Sequence, residues 1–209
     1  MQITKYIQSC LLVESDGKVA LFDPGMMSEG ALDVSKLTQL DSIIITHAHG
    51  DHFSMSLMKN LVDAFPEVHV TAPSEVVSLL ADEGIAATDQ VSDGIEFFDA
   101  PHESVEPLYP SPEEIGVHYH GVLSHPGDSH SFTETKAVLA LPITAPWGST
   151  IKALNLVLEL KPEVVVPIHD WHWKDEARTQ TYDMFESILA ESGITFLKPE
   201  TGVPLQVDL

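Results

Sequence analysis

Apolar and polar residues alternate along the chain in blocks that predict a series of β-strands separated by turns and helices. Residues 6–14 and 18–22 are apolar runs joined by Ser15-Asp16-Gly17, and an Asp-Gly pair between two such runs is typical of a β-hairpin. Residues 42–45 include three consecutive isoleucines, whose β-branched side chains suit a strand that is buried on both faces. Further strands are predicted at residues 68–71, 95–99, 115–124, 136–143, 164–166, 194–197 and 203–207.

Apolar residues at helical spacing predict four helices between these strands. Residues 74–82 form one of them, with Ser74 as its N-cap and Gly84 as its stop signal. Residues 149–160 and 174–191 form two more. The remaining helix follows residue 52 and places Met55, Met58, Leu61, Val62 and Phe65 on one face. In the helix at residues 149–160, the residues predicted to face inward include Ile151, Leu154, Val157 and Leu158. In the helix at residues 174–191, they include Ala177, Met184, Phe185, Ile188 and Leu189. This rhythm of strands and helices predicts an α/β fold.

Four residues with metal-binding side chains follow the isoleucine strand within six positions: His47, His49, Asp51 and His52. Imidazole and carboxylate are ligands that zinc and other borderline divalent metals prefer. Structural zinc sites usually use two short pairs of ligands, often with cysteine, whereas α/β proteins mount functional sites at the carboxyl ends of strands. The pattern therefore predicts a catalytic metal site. A structural zinc site and a loop that is rich in histidine by chance are the alternatives.

Further candidate ligands follow three later predicted strands: His102, Asp128 and His169. Three other histidines compete with His102 for the first of these positions: His118, His120 and His125. His102 is favoured because His118 and His120 fall inside the predicted strand at residues 115–124. Asp23 also follows a strand, in Asp23-Pro24-Gly25, where simple turn chemistry explains it equally well.

The run His47-Ala48-His49-Gly50-Asp51-His52 resembles the His-x-His-x-Asp-His signature of the metallo-β-lactamase-fold hydrolases. Later segments are similar to further motifs of that family, namely Pro126-Gly127-Asp128-Ser129 and Val166-Pro167-Ile168-His169. The resemblance extends from Asp23 to His169. It implies a four-layer αβ/βα sandwich, with residues 1–209 forming a single hydrolase domain.

The same resemblance implies a site with two divalent metal ions. His47, His49 and His102 would hold one ion, Asp51, His52 and His169 the other, and Asp128 would bridge them. Asp51 would also be catalytic, by orienting a metal-bridging hydroxide, and Asp23 would support the loop without binding metal. Zinc is the expected metal, although manganese or iron can occupy the same ligands. Loops that the family places around the mouth of the site hold His130, Trp147 and His172, for which a plain surface role is equally consistent.

Differences from several branches of the family narrow the expected reaction. Asp128 stands where many true β-lactamases have cysteine, and His49 stands where flavodiiron proteins have glutamate. The chain is too short for the extra domains of glyoxalase II or the RNA-cleaving β-CASP enzymes. It is similar instead to the compact branch that includes L-ascorbate-6-phosphate lactonase. No basic cluster marks a sugar-phosphate pocket, so that substrate is not inferred.

The resulting expectation is a dinuclear hydrolase that acts on a small ester or lactone. One alternative is a metal-dependent phosphodiesterase that acts on a small nucleotide-like substrate. The other is a metal-binding sensor or partner module without turnover.

Composition limits the partners of this 209-residue chain. Ten basic and 32 acidic residues give 10 − 32 = −22, which disfavours a nucleic-acid partner and leaves a small molecule as the expected substrate. No apolar run approaches the roughly 18–20 residues of a membrane helix, and the N-terminus lacks a signal sequence, so we expect a cytoplasmic protein without membrane contact. Cys10, the one cysteine, excludes an intrachain disulfide and is predicted to lie in the core. The sequence carries no signal for or against a homo-oligomer.

Overall fold

Twelve strands and four α-helices occur in residues 1–92 and 94–209, the part of the chain described by the structure, which is a computed structural model. The strands are β1 (Gln2–Lys5), β2 (Leu11–Ser15), β3 (Lys18–Phe22), β4 (Ser42–Ile44), β5 (His69–Thr71), β6 (Ile95–Phe98), β7 (Gly116–Tyr119), β8 (Leu123–His125), β9 (Val138–Pro142), β10 (Val164–Ile168), β11 (Thr195–Phe196) and β12 (Pro204–Gln206). The helices are α1 (Met55–Ala64), α2 (Ser74–Asp82), α3 (Thr150–Leu160) and α4 (Asp175–Ala190).

These elements fall into two compact units. The first contains Met1–Val91, Pro112–Ile115 and Glu200–Asp208, and the second contains Ser92–Ser111, Gly116–Pro199 and Leu209. The prediction that residues 1–209 form a single domain stays a prediction. Within the described residues, no helix combines the length and the apolar character that crossing a bilayer requires.

The first unit is built on a six-stranded sheet in the order β12-β1-β2-β3-β4-β5. β12, β1, β2 and β3 are paired antiparallel, and β3, β4 and β5 are paired parallel. Side chains from one face of this sheet pack with α1 and α2 in a core that includes Leu21, Ile43, Leu57, Leu61 and Val76. Residues that alternate with these along the strands, such as Phe22 and Ile44, are also buried. The isoleucine strand is therefore buried on both faces, as predicted.

The predicted hairpin is present, but its first strand is shorter than expected. Asp16 and Gly17 both have positive φ values, +52° and +74°, which is the conformation of a tight two-residue hairpin turn. β2 begins at Leu11 rather than at residue 6, because the chain turns over residues 6–10 and the Tyr6 amide donates to the Cys10 carbonyl. β1 precedes this turn and was not predicted. Cys10 is fully buried, as expected, and burial raises the pKa of its thiol to about 12.

The second unit is built on a six-stranded sheet in the order β11-β10-β9-β8-β7-β6. β8, β9, β10 and β11 are parallel, while β6, β7 and β8 are antiparallel. α3 and α4 pack against one face in a core that includes Leu139, Val157, Val165, Phe185 and Leu189. Each unit is thus a sheet layer covered by a helix layer.

Three further details of the predicted elements are wrong. The predicted strand at residues 115–124 is a hairpin of β7 and β8, because His120 and Gly121 adopt positive φ values and reverse the chain. Ile151, Ala177 and Met184 were predicted to face inward, yet all three are exposed, since other residues of α3 and α4 fill the core. Ser74 does not cap α2; it is the first helical residue, and its hydroxyl donates to Asp89.

Other boundary signals are confirmed. α2 spans the predicted residues 74–82, and Gly84 follows it with a φ of +75°. α3 begins one residue later than predicted, because Ser149 caps it by accepting a hydrogen bond from the Lys152 amide. These signals are local in sequence, which is why they could be identified without the tertiary structure.

Candidate metal centre

The loop that carries His47 to His52 lies between the end of β4 and the start of α1. The amides of His52 and Phe53 both donate to the His49 carbonyl, each at 2.9 Å, so the loop forms a tight turn. Ser54 then caps α1 by accepting from the Leu57 amide. The tight turn between β4 and α1 therefore keeps the four metal-binding side chains close together in the chain.

A second loop, at the end of β3, packs tightly against the first. A Cβ atom built on Gly25 would lie 2.0 Å from the Asp51 carbonyl oxygen, so only glycine allows this approach. The amide of Met26 donates to the Gly50 carbonyl at 2.8 Å, which joins the two loops. The Phe-Asp-Pro-Gly pattern of the sequence therefore serves a close backbone contact in the structure.

Asp23 lies behind this loop with a buried carboxylate. Its Oδ1 accepts from the Thr46 amide at 2.8 Å, and its Oδ2 accepts from the Thr46 hydroxyl at 2.9 Å and lies 2.7 Å from His52 Nδ1. The backbone of Asp23 has a φ of +44°, which is costly for a residue other than glycine. These three contacts hold both the strand end and the His52 ring.

Two buried side chains that the sequence analysis did not identify contact this loop. The Gln8 amide donates to Asp51 Oδ2 at 2.9 Å, and Glu114 Oε2 lies 2.9 Å from His47 Nδ1. Gln8 lies in the unpredicted turn before β2, and Glu114 follows a proline-rich segment far along the chain. Neither residue belongs to a motif with a fixed spacing, so no sequence signal could have identified it.

In the second unit, the structure brings His102, Asp128 and His169 together. His169 follows β10 with a φ of +61°, and its Nε2 lies 3.1 Å from Asp128 Oδ2. His102 Nε2 lies 3.8 Å from the same oxygen. The Glu103 amide donates to the Asp128 carbonyl at 3.0 Å, which ties the two loops together.

The histidines that competed with His102 in the sequence have other surroundings. His118 Nδ1 lies 2.8 Å from the Ser124 hydroxyl, and the ring stacks on Phe98. Burial lowers the pKa of His118. His120 lies in the turn between β7 and β8, and His125 Nδ1 accepts from the Gly127 amide at 3.3 Å.

Trp147 lies among the histidines of the second unit. Its indole Nε1 donates to Asp128 Oδ2 at 3.2 Å, and its ring centroid is 5.4 Å from that of His169. The His130 ring centroid lies 5.1 Å from that of Trp147. His130 is only 5% exposed, and its Nε2 donates to the Pro142 carbonyl at 2.6 Å. Burial lowers the pKa of His130. His172 is exposed, and desolvation and the nearby His169 lower its pKa. Contact of these residues with a substrate stays a prediction.

Among the residues that the structure describes, those that could hold a metal ion are His47, His49, Asp51 and His52 in the first unit, and His102, Asp128 and His169 in the second. Hydrogen bonds fix which ring nitrogen carries the proton in four of the histidines. Nδ1 of His102 donates to the Glu103 carbonyl, and Nδ1 of His169 donates to the Thr144 carbonyl. Nδ1 of His47 and of His52 likewise faces a carboxylate. In the neutral ring, the lone pair is then on Nε2, as metal binding requires.

The distances between candidate ligand atoms within each unit fit shared metal ions. Two ligand atoms on one tetrahedral zinc ion lie about 3.4 Å apart, given bonds near 2.0–2.1 Å. Nε2 of His169, His52 and His102 lies 3.1, 3.6 and 3.8 Å from an aspartate oxygen of the same unit. A nitrogen lone pair and a carboxylate repel at such distances, and a cation that binds both relieves the repulsion. The donor set therefore suits divalent metal.

The family model described as the metallo-beta-lactamase superfamily matches residues 3–169. The chain belongs to this superfamily. Curated relatives include the protein Rv0786c of Mycobacterium tuberculosis, which is 29% identical over 94% of this chain and 100% of that protein. A UPF0173 metal-dependent hydrolase of Geobacillus is 24% identical over 98% of this chain and 100% of its own.

Solved structures of two hydrolases have a similar fold. Igni18, a metallo hydrolase from Ignicoccus hospitalis, has a TM-score of 0.73 and 21% identity, with 99% of each chain covered. An isothiocyanate hydrolase from Delia radicum gut bacteria has a TM-score of 0.70 and 17% identity, also with 99% of each chain covered. The predicted αβ/βα fold of the metallo-β-lactamase type is thereby confirmed. The similarity to L-ascorbate-6-phosphate lactonase stays a prediction.

Proposed function

We propose that this superfamily member is a dinuclear metal-dependent hydrolase that acts on a small ester or lactone. The observation that carries the proposal is the set of metal-binding side chains. In four of its histidines, Nδ1 faces an acceptor oxygen atom, so the lone pair of the neutral ring is on Nε2. In this proposal, one ion is bound by His47, His49, His102 and Asp128, and the other by Asp51, His52, Asp128 and His169. Relatives named as metal-dependent hydrolases support the assignment.

Two divalent ions, when bound, act as Lewis acids and lower the pKa of a water molecule to about 7. The protein orients the groups around them. Gln8 fixes one carboxylate oxygen of Asp51, so that this residue can hold the attacking water by a hydrogen bond. Trp147 holds Asp128 in the same way from the second unit. Zinc is the metal we propose, because nitrogen and carboxylate ligands in a histidine-rich set suit it.

The surroundings of the basic residues favour a carbonyl substrate over a phosphoryl substrate. Enzymes that transfer phosphoryl groups clamp the phosphate oxygens with metal ions and also with arginine or lysine side chains. The Lys152 ammonium, which lies close to the His102 loop, is 2.7 Å from Glu103 Oε1, and this contact offsets its charge. Further cation–carboxylate pairs within the units are Lys18–Asp41, Lys36–Asp33, Lys59–Glu83, Lys136–Glu96, Arg178–Asp170 and Lys198–Glu186.

Metal analysis combined with a substrate panel tests the proposal. We expect two metal equivalents per chain, together with faster turnover of lactones or simple esters than of bis-p-nitrophenyl phosphate. His47→Ala and Asp128→Ala should lose both metal and turnover. His69→Ala, which changes an exposed histidine of β5, should keep both.

Each rival function predicts a different result. Preference for the phosphodiester would indicate a phosphodiesterase. Metal-loaded protein that is inert towards esters, lactones, thioesters and phosphodiesters would indicate a sensor or partner module. Full activity in His47→Ala or Asp128→Ala would rule out a metal-dependent reaction at these residues.

A further inference from the structure

Glu114 places a buried carboxylate directly against a predicted metal ligand. Its Oε2 lies 2.9 Å from His47 Nδ1, and both side chains are 0% exposed. A carboxylate without water around it is costly unless a hydrogen-bond donor or a positive charge compensates it. A proton on His47 Nδ1 compensates the buried carboxylate by donating a hydrogen bond to it.

The backbone around Glu114 is anchored on both sides. The Ile115 amide donates to the Thr46 carbonyl at 3.0 Å, one residue before His47. On the other side, Glu113 Oε2 accepts from the Glu75 amide in the first turn of α2 at 3.0 Å. Pro112–Ile115 belongs to the first unit although its neighbours on both sides in the sequence belong to the second. The segment thus inserts one buried carboxylate beside the end of β4.

We propose that Glu114 is a positioning residue for the metal ligand His47, an inference that rests on the proposed metal centre. The carboxylate accepts the Nδ1 proton of the neutral His47 ring, which leaves the lone pair on Nε2 and makes that nitrogen more basic. Carboxylates that support a metal-bound histidine in this way typically raise metal affinity by about 10- to 100-fold. Glu114 acts through His47 and does not itself touch the substrate.

Glu114→Gln tests this role because it keeps the size of the side chain and removes its charge. We expect the variant to bind one of the two metal ions about 10- to 100-fold more weakly, while the other is bound as in the wild type. Zinc affinity is measured for each ion by competition with a chromophoric chelator. The visible absorption spectrum of Co²⁺-substituted protein reports the geometry at His47, and we expect it to change as well.

Glu113→Gln is the matched control, because this neighbouring glutamate contacts the Glu75 amide rather than His47. It tests whether loosening of the segment alone alters the metal site, and we expect wild-type zinc affinity and an unchanged Co²⁺ spectrum. Unchanged values in Glu114→Gln, or equal losses in both variants, would overturn the inference.

Other outcomes keep the two proposals distinguishable. If the wild-type protein binds no divalent metal, the proposed function fails, whereas normal metal binding in Glu114→Gln rejects only the role of Glu114. If Glu114→Gln does not fold, Glu114→Asp replaces it, since aspartate keeps the charge but withdraws it by one methylene. A shifted Co²⁺ spectrum in that variant supports the role, and a wild-type spectrum contradicts it.

Discussion

Asp23 accepts hydrogen bonds from two groups of Thr46 and contacts His52 Nδ1, all with one buried carboxylate. Asp23→Asn leaves one acceptor oxygen for three donors, so either the Thr46 contacts or the His52 contact must be lost. If the amide group donates to His52 Nδ1, the ring proton moves to Nε2 and blocks metal binding. We expect zinc to bind about 10- to 100-fold more weakly at the site that includes His52.

The measurement for Asp23→Asn is chelator competition with purified, folded protein. Asp16→Asn is the control, because Asp16 lies in the exposed hairpin turn with a φ of +52°, which asparagine adopts readily. Equal zinc affinity in the wild type and in Asp23→Asn would show that Asp23 serves only the turn at the end of β3.

Trp147 offers a direct spectroscopic probe of Asp128, since its indole Nε1 donates to the carboxylate. Zinc binding at Asp128 should change the charge next to the indole and hence its fluorescence. We expect zinc titration of metal-free protein to change the emission of the wild type, and Trp147→Phe to lose most of that change. Trp173→Phe, which alters a ring packed against the core of the second unit, should retain it. A change that survives in Trp147→Phe would place the metal elsewhere.

At the scale of elements, the contact between the β3 loop and the loop after β4 depends on Gly25. A Cβ at this position would overlap the Asp51 carbonyl oxygen, whereas a Cβ at Gly30 meets no atom within 4 Å. Gly25→Ala must therefore displace the metal-binding loop. We expect a lower melting temperature and substoichiometric zinc in Gly25→Ala, and wild-type values in Gly30→Ala. Thermal denaturation and elemental analysis measure both, and normal zinc content in Gly25→Ala would contradict the close approach.

Helix capping gives a second test at this scale. Ser149 accepts a hydrogen bond from the Lys152 amide at the start of α3. Ser149→Ala should lower the free energy of unfolding by about 1 kcal/mol. Ser78→Ala is the contrast, because the Ser78 hydroxyl bonds to the Ser74 carbonyl inside α2 and alanine is a better helix former. Urea denaturation compares the two, and equal effects would show that Ser149 is not a cap.

At the scale of the whole molecule, 32 acidic and ten basic residues leave a net charge of −22. Several of the cations already pair with carboxylates, so the remaining acidic groups repel one another. We expect the melting temperature to rise by several degrees as the ionic strength increases from about 0.01 M to about 1 M, because the screening length falls from about 30 Å to about 3 Å. Calorimetry in chloride salts measures this, and a flat or falling curve would show that repulsion is not a significant cost.

Sequence alone determined the elements whose signals are local. The isoleucine strand, the Asp-Gly hairpin turn and the bounds of α2 follow from side-chain type and short-range spacing. The motif from His47 to His52 also indicated the superfamily, because its spacing is short and specific. The turn at His120 was missed, since a hairpin with an apolar residue on each side looks like one continuous strand.

The contacts that hold the ligands were decided only by the tertiary structure. Gln8, Glu114 and Trp147 touch Asp51, His47 and Asp128 across long stretches of sequence, and none of them lies in a motif of fixed spacing. Their positions depend on how separate loops pack, and a hydrogen bond of about 3 Å cannot be inferred from residue order. The sequence thus named candidate ligands, while the fold determined which nitrogen of each fixed histidine carries the proton and which residues orient the carboxylates.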